Sequence, residues 1–185
     1  AIVAPDFARE ALDILTTRPK WKASVRLMKV GPLSPPQPGL AYRFLDGGVL
    51  VQDADTLLDP EDQWKVVTEA QPSQEQWADL RFAWAIVRHV KSNAIVLCKG
   101  GMLLGAGAGQ MSRVDSTEIA IRKAGDRAAG SVMGSDAFFP FPDSIERAAA
   151  AGVSAVIQPG GSVKDDEVIA ACNRYKMAMI FTGRR

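Results

Sequence analysis

The chain has 185 residues, 47% hydrophobic and 23% charged, which is enough to bury a core and is typical of a globular protein. Its 22 basic and 21 acidic residues leave a formal net charge of +1, so charge makes no case for nucleic acid or an anionic membrane, and an anionic ligand must be held by local groups. No apolar run reaches the roughly 18 residues of a membrane span, and the start lacks the basic and apolar regions of a signal peptide. The two cysteines, Cys98 and Cys172, form no CxxC pair; the expectation is a cytoplasmic protein with buried thiols and no zinc. The first residue is not methionine, and the chain reads as a piece of something longer.

Residues 1–28 read as strand (AIVAP), amphipathic helix with apolar Ala11, Leu12, Ile14 and Leu15, and strand (VRLM). GPLSPPQPG, residues 31–39, carries four of the 11 prolines and is neither helix nor central strand. AYRFLDGGVLVQD reads as two short strands turned at Asp46-Gly47-Gly48, with WKVVT as a third edge. The next helix begins at Ser73, with Gln76 three residues on and Trp77, Leu80, Trp84 and Val87 at helical spacing. NAIVLCKGGMLLGAGAG then reads as a hairpin turned at Gly100-Gly101. Helices follow over VDSTEIAIRKAGD and DSIERAAAA, and the last thirty residues repeat the opening plan: AVIQP, the insertion GGSVKDD, the helix EVIAACNRY and the strand MAMIF. That echo predicts an α/β fold in which residues 1–30 are the tail of one lobe, 31–72 a proline-rich linker with short strands, and 73–185 a second, similar lobe.

Several residues admit both a local and a functional role. The glycines at 105, 107 and 109 miss the G-x-G-x-x-G spacing of a phosphate cradle and follow a hairpin strand, which argues against a Rossmann-like dinucleotide site. Arg113, at the end of that run, is either a solvated charge or a guanidinium placed for a ligand. Asn93 suits a helix end or turn, Asp143 an N-cap with Glu146 at N3, and Ser162 the cap of the last helix. Phe138, Phe139 and Phe141, broken by Pro140, are too irregular for a simple core strand and suit the wall of an aromatic ligand site. The single histidine, His89, reads as a partly exposed helix residue, and the ligands that a zinc deaminase needs are missing.

In combination, SNAIVLCKGG, GAGAGQMSR, SDAFFPFPDSIERAAAAGV and IQPGGSVKDDEVIAACNRYKMAMIFTGRR resemble the carboxy-terminal half of aminoimidazole carboxamide ribonucleotide (AICAR) transformylase, the transformylase portion of the bifunctional purine-biosynthesis protein. The N-terminal stretches AIVAPDFAREALDIL and GGVLVQD are similar to the same family, so the resemblance spans nearly the whole chain. It implies cytidine-deaminase-like lobes, a mixed sheet flanked by helices, without zinc. The implied reaction moves a formyl group from 10-formyltetrahydrofolate to the amine of AICAR, in a homodimer whose subunits share active sites.

By position, the resemblance implies that Asn93 lies near the reacting amine, that Arg113, Phe138 and Arg185 contact the nucleotide, and that Phe141, Asp143 and Ser162 meet the folate. It also associates Asp136, with backbone near Ser92, with a monovalent cation, potassium being the candidate. The family's lysine-histidine pair, assigned to proton transfer, belongs upstream of Ala1, and Pro142 stands where relatives often have arginine. The expectation is that this polypeptide alone is inactive and needs the upstream half. The rivals are a non-catalytic nucleotide- or folate-binding module and, behind it, the dinucleotide enzyme.

Overall fold

The computed structural model of the chain describes residues 1–34, 38–56 and 60–184. Two compact units divide it, Ala1–Leu58 and Asp59–Arg185. In the first, β1 (Ile2–Ala4) and β2 (Leu27–Lys29) pair in parallel, Ile2 opposite Leu27, with α1 (Arg9–Thr17) between them in sequence. The opening strand-helix-strand expectation is met, yet α1 contains no buried residue. Of the proline-rich stretch, residues 35–37 lie outside the described residues. Beyond it, β3 (Leu40–Leu45) and β4 (Gly48–Asp53) form an antiparallel hairpin. Gly47, at φ +75°, supplies the turn conformation that a side chain disfavours. The pairing register puts Leu40, Tyr42, Phe44, Val49 and Val51 on one face of this ribbon, and all of its residues are exposed.

The second unit is a six-stranded mixed sheet with helices on both faces. Its strands are β5 (Lys65–Val66), β6 (Ile95–Lys99), β7 (Met102–Gly107), β8 (Val132–Ser135), β9 (Ala155–Gln158) and β10 (Ala178–Phe181), in the spatial order β5-β10-β9-β8-β6-β7. β8, β9 and β10 run parallel; β5, β6 and β7 join antiparallel. The second unit therefore takes in residues expected in the linker segment, because β5 pairs with β10 and the Thr68 hydroxyl accepts from the Met179 N–H at 2.8 Å.

Both faces of the sheet are covered, which is why the strands read as apolar runs rather than alternating ones. α2 (Gln74–Val87) packs Leu80, Ala83, Trp84 and Val87 against Val96, Cys98, Ile157 and Ile180 on one face. On the other, α3 (Arg113–Ala124), α4 (Asp143–Ala150) and α5 (Asp165–Arg174) bury Ala120, Ile145, Ala148, Val168 and Cys172 against Ile95, Leu97, Val156 and Met179. The capping box read at Ser73 and Gln76 is formed, each side chain bonding the other's backbone N–H. The β6–β7 turn is at Gly100 and Gly101, whose N–H groups both donate to the Asp79 carboxylate of α2 at 2.9 Å.

Two glycines of the run serve the packing of α3. A Cβ on Gly105 would stand 2.1 Å from the Ala120 carbonyl oxygen, and one on Gly107 would stand 1.9 Å from that of Ser116. These glycines let α3 lie directly on β7, and only Gly109, at φ +66°, serves the turn that follows. Among the described residues, no helix is long and apolar enough to cross a membrane.

Candidate functional site

The carboxyl ends of β8, β9 and β10 share one edge of the sheet, and antiparallel β6 begins at that same edge. Ligands of open α/β sheets characteristically bind outside the carboxyl ends of parallel strands. A cavity of about 520 Å³ opens there, and Asn93, Met111, Arg113, Phe138, Phe141 and Asp143 are among the residues that line it. Five residues picked out separately in the sequence, Asn93, Arg113, Phe138, Phe141 and Asp143, thus meet around one space.

The floor is a buried polar network. Arg113 opens α3 directly after the cap residue Ser112, whose hydroxyl accepts from the Asp115 N–H, and its side chain is 7% exposed. Its Nη1 donates to Asp136 Oδ1 at 2.7 Å and to Ser135 Oγ at 2.8 Å, while Nη2 donates to Asn93 Oδ1 at 2.9 Å. Asp136 Oδ1 also accepts from the Ala94 N–H at 2.9 Å. Burial alone would raise the Asp136 carboxyl, but the Ser92 hydroxyl, the Arg113 guanidinium and the Ala94 N–H outweigh it and hold the group below its ordinary value. Removing one partner of such a buried pair costs about 3–5 kcal/mol, because the other charge is left uncompensated.

Asn93 follows a cis Ser92–Asn93 peptide and stands just before β6. Its Nδ2 donates to the carbonyls of Gln110 at 2.9 Å and Met111 at 3.2 Å, and its own carbonyl accepts from the Ser116 hydroxyl at 2.8 Å. It is therefore tied to the loop after β7 and to α3, rather than closing α2, whose C-cap is Arg88. Ser116 and Ser135, both buried, are network members that the sequence reading missed. A serine on a helix and a serine ending a strand carry no motif, so only their three-dimensional neighbours reveal them.

The aromatic triplet divides. Phe139 is 0% exposed and belongs to the core, whereas Phe138 and Phe141 are 41% and 56% exposed at the cavity. Asp143 is not the N-cap of α4 but its first residue; Pro142 holds the cap position, and Asp143 Oδ1 accepts from the neighbouring Ser144 N–H at 2.7 Å. With no capping bond to make, its exposed carboxylate faces the cavity.

Ser162 is placed elsewhere. The cap position of α5 is Lys164, and the Ser162 hydroxyl accepts from the Lys164 N–H at 3.1 Å, so Ser162 is a turn residue two positions earlier. It does not line the first cavity. Beside its loop, a second cavity of about 520 Å³ is lined by residues that include Lys65, Gly161, Phe181 and Gly183. The backbone there is largely occupied: Gly161 and Ser162 donate to Asp165 Oδ2, and Gly183 donates to the Pro159 carbonyl. Arg185 lies outside the described residues.

The Asn93 amide is not a proton acceptor at neutral pH, and His89 is exposed beyond the end of α2 and does not line the cavity. The lining is suited to holding a flat ring, orienting an N–H or carbonyl group and accepting hydrogen bonds at Asp143. Among the described residues, no three His, Cys, Asp or Glu side chains stand together as metal ligands. Asp136 Oδ1 accepts from two donors, a guanidinium among them, which does not fit a potassium ion at that oxygen.

The family profile described as AICARFT/IMPCHase bienzyme matches residues 1–123. Over 185 residues the chain is 60% identical to the "Bifunctional purine biosynthesis protein PurH" of Rhodopirellula baltica. It is 50% identical over 184 residues to the protein of that name from Anoxybacillus flavithermus, and 47% identical to that of Bacillus thuringiensis. The whole chain is covered in each case, and it spans 35% of the relative's length. Among solved structures, Acinetobacter baumannii RibD, form 2, is 18% identical with a TM-score of 0.40, covering 57% of this chain and 34% of that one, a likeness too slight to carry an argument. The chain belongs to the AICARFT/IMPCHase bienzyme family.

Proposed function

We propose that this chain is the carboxy-terminal part of an AICAR transformylase, acting in purine biosynthesis by transferring a formyl group from 10-formyltetrahydrofolate to the amine of AICAR. The observation that carries the reading is the convergence of Asn93, Arg113, Phe138, Phe141 and Asp143, drawn from separate segments, on one cavity at the sheet edge. In this reading the two units are parts of cytidine-deaminase-like lobes, and the protein works in the cytoplasm as a homodimer with shared active sites.

The amine of AICAR is a weak nucleophile, because its electrons are drawn into the ring and carboxamide. Rate must therefore come from orientation, proton transfer and stabilisation of the oxyanion. Phe138 holds the nucleotide ring, Asn93 and Arg113 orient the groups at the cavity floor, and Phe141 and Asp143 receive the pterin, whose ring N–H groups meet the carboxylate. By resemblance, Ser162 belongs to the loop that closes over the folate, and Arg185 helps hold the nucleotide. Among the described residues the cavity lining holds no histidine or lysine, so in this reading the proton leaves to a group supplied by the upstream half.

The purified 185-residue chain is expected to bind AICAR but not to turn it over, and to gain formyl transfer when the upstream half is added. Turnover by the chain alone overturns the dependence on a partner; failure to bind either AICAR or a folate overturns the reading itself. A cavity lined by neither histidine nor lysine among the described residues also suits a non-catalytic nucleotide- or folate-binding module, and binding without turnover after addition of the upstream half would decide for it. A dinucleotide enzyme is disfavoured, since Gly105 and Gly107 face α3 rather than a ligand.

A further inference from the structure

We infer that Asp136 is a positioning residue which, acting through Arg113, presents the Asn93 side chain to the ligand as a hydrogen-bond acceptor and withholds it as a donor. A side-chain amide has two N–H donors and two acceptor lone pairs. Both donors of Asn93 are engaged by backbone carbonyls, Gln110 at 2.9 Å and Met111 at 3.2 Å. One lone pair of Oδ1 receives Arg113 Nη2 at 2.9 Å. A single acceptor position remains. Turning the amide over would set its NH2 group against the guanidinium and its oxygen against two carbonyls, losing all three bonds.

The orientation is only as firm as Arg113, and Arg113 is held from behind. Asp136 Oδ1 takes its Nη1 at 2.7 Å and is itself pinned by the Ala94 N–H at 2.9 Å. Ser135 donates its hydroxyl to the Ala137 carbonyl at 2.7 Å, so its oxygen faces the guanidinium as an acceptor. The chain of bonds runs from the end of β8, through the first residue of α3, to the residue pair before β6. Asp136 does not line the cavity and acts through two other side chains. The ligand chemistry selected is an N–H or NH2 group on a planar ring lying beside Phe138. Resting on the function proposed above, that group is the amine of AICAR, and Asn93 accepts from it rather than donating to an oxyanion.

The test compares the wild-type chain with Asp136→Asn and Arg113→Lys by calorimetric binding of AICAR and of its analogue carrying hydrogen in place of the amine. The lysine variant keeps a charge beside Asp136 but lacks the planar fork that reaches two acceptors at once. The wild type is expected to prefer AICAR by about tenfold, the equivalent of one hydrogen bond. Both variants are expected to lose that preference, and Asp136→Asn, at a residue outside the cavity lining, to bind the analogue as the wild type does. A preference that survives in the variants, or a parallel loss for both ligands in Asp136→Asn, overturns the inference, the latter marking a merely structural role. The second readout needs no ligand: the Asn93 side-chain amide protons, assigned with Asn93→Asp, should be sharp and separated in the wild type and averaged in both variants. Unchanged Asn93 signals in a folded variant also overturn the positioning role. A wild type that binds neither nucleotide sinks the function proposed above, while the amide signals still decide the role of Asp136.

Discussion

The opening unit β1–α1–β2 and the closing unit β9–α5–β10 share one sequence plan and one local geometry, parallel strands joined through a helix, yet their burial is opposite. All of β9 is buried, as are Val168, Ala171 and Cys172 of α5. β1 is at best half-buried, and α1 buries nothing. The difference lies in the neighbours. β9 has a parallel strand on each side and helices over both faces, whereas among the described residues β1 pairs with β2 alone. A parallel strand pair is stable when both of its faces are covered, so the same pattern yields core in one place and surface in the other.

The largest test of this contrast is truncation in the two leading strands. Ile157→Ala in β9, at a fully buried site, should cost about 3 kcal/mol in denaturant unfolding, while Ile2→Ala in β1 should cost less than about 1 kcal/mol. Comparable losses would mean that the first unit is as well packed as the second. Next come the glycines that follow the strands. A Cβ on Gly160 (φ +76°) would meet the Phe181 ring at 2.5 Å, whereas Gly31 (φ +78°) has open space. Gly160→Ala should therefore destabilise by about 3 kcal/mol, from strain plus clash, and Gly31→Ala by about 1 kcal/mol, from strain alone.

A pH comparison sharpens the point with two lowered carboxylates. Asp6 in the first unit is held down by its exposed bond to Lys29, and Asp136 in the second by the buried network. A lowered folded value stabilises above the unfolded carboxylate value, about 3.9, and the gain is lost as pH falls through the folded one. Melting temperatures should show a steeper acid decline for the wild type than for Asp136→Asn, and no measurable change for Asp6→Asn, where solvent screens the pair. The smallest effect is on labelling. Burial pushes the Cys172 thiol up to about 12, so folded protein should resist a thiol reagent at pH 8, whereas Leu12→Cys on exposed α1 should react at once.

Periodicity and turn chemistry made the helices, the hairpins and the terminal echo readable, because those features depend on neighbours within a few residues. β8 was not readable, although it is a central strand of the sheet. Its run VMGS is short and carries Gly134, where a Cβ would stand 3.1 Å from Val96 and 3.2 Å from Ala83. That glycine is there because α2 packs close, a reason that no local pattern expresses. Asp143 and Ser162 illustrate the converse: cap-like spacing was present, but the chain entered each helix at Pro142 and Lys164 instead.

Composition, spacing and family resemblance by themselves determined an α/β chain with no zinc signature and singled out five of the residues that line the cavity. Tertiary structure alone decided that Arg113 is clamped between Asp136 and Asn93 rather than left free, and that Phe139 belongs to the core while Phe138 and Phe141 face the cavity. The physical reason is that hydrogen-bond partners 20 and 23 residues apart are chosen by how sheet and helices bring their ends together, and sequence distance carries no trace of that choice.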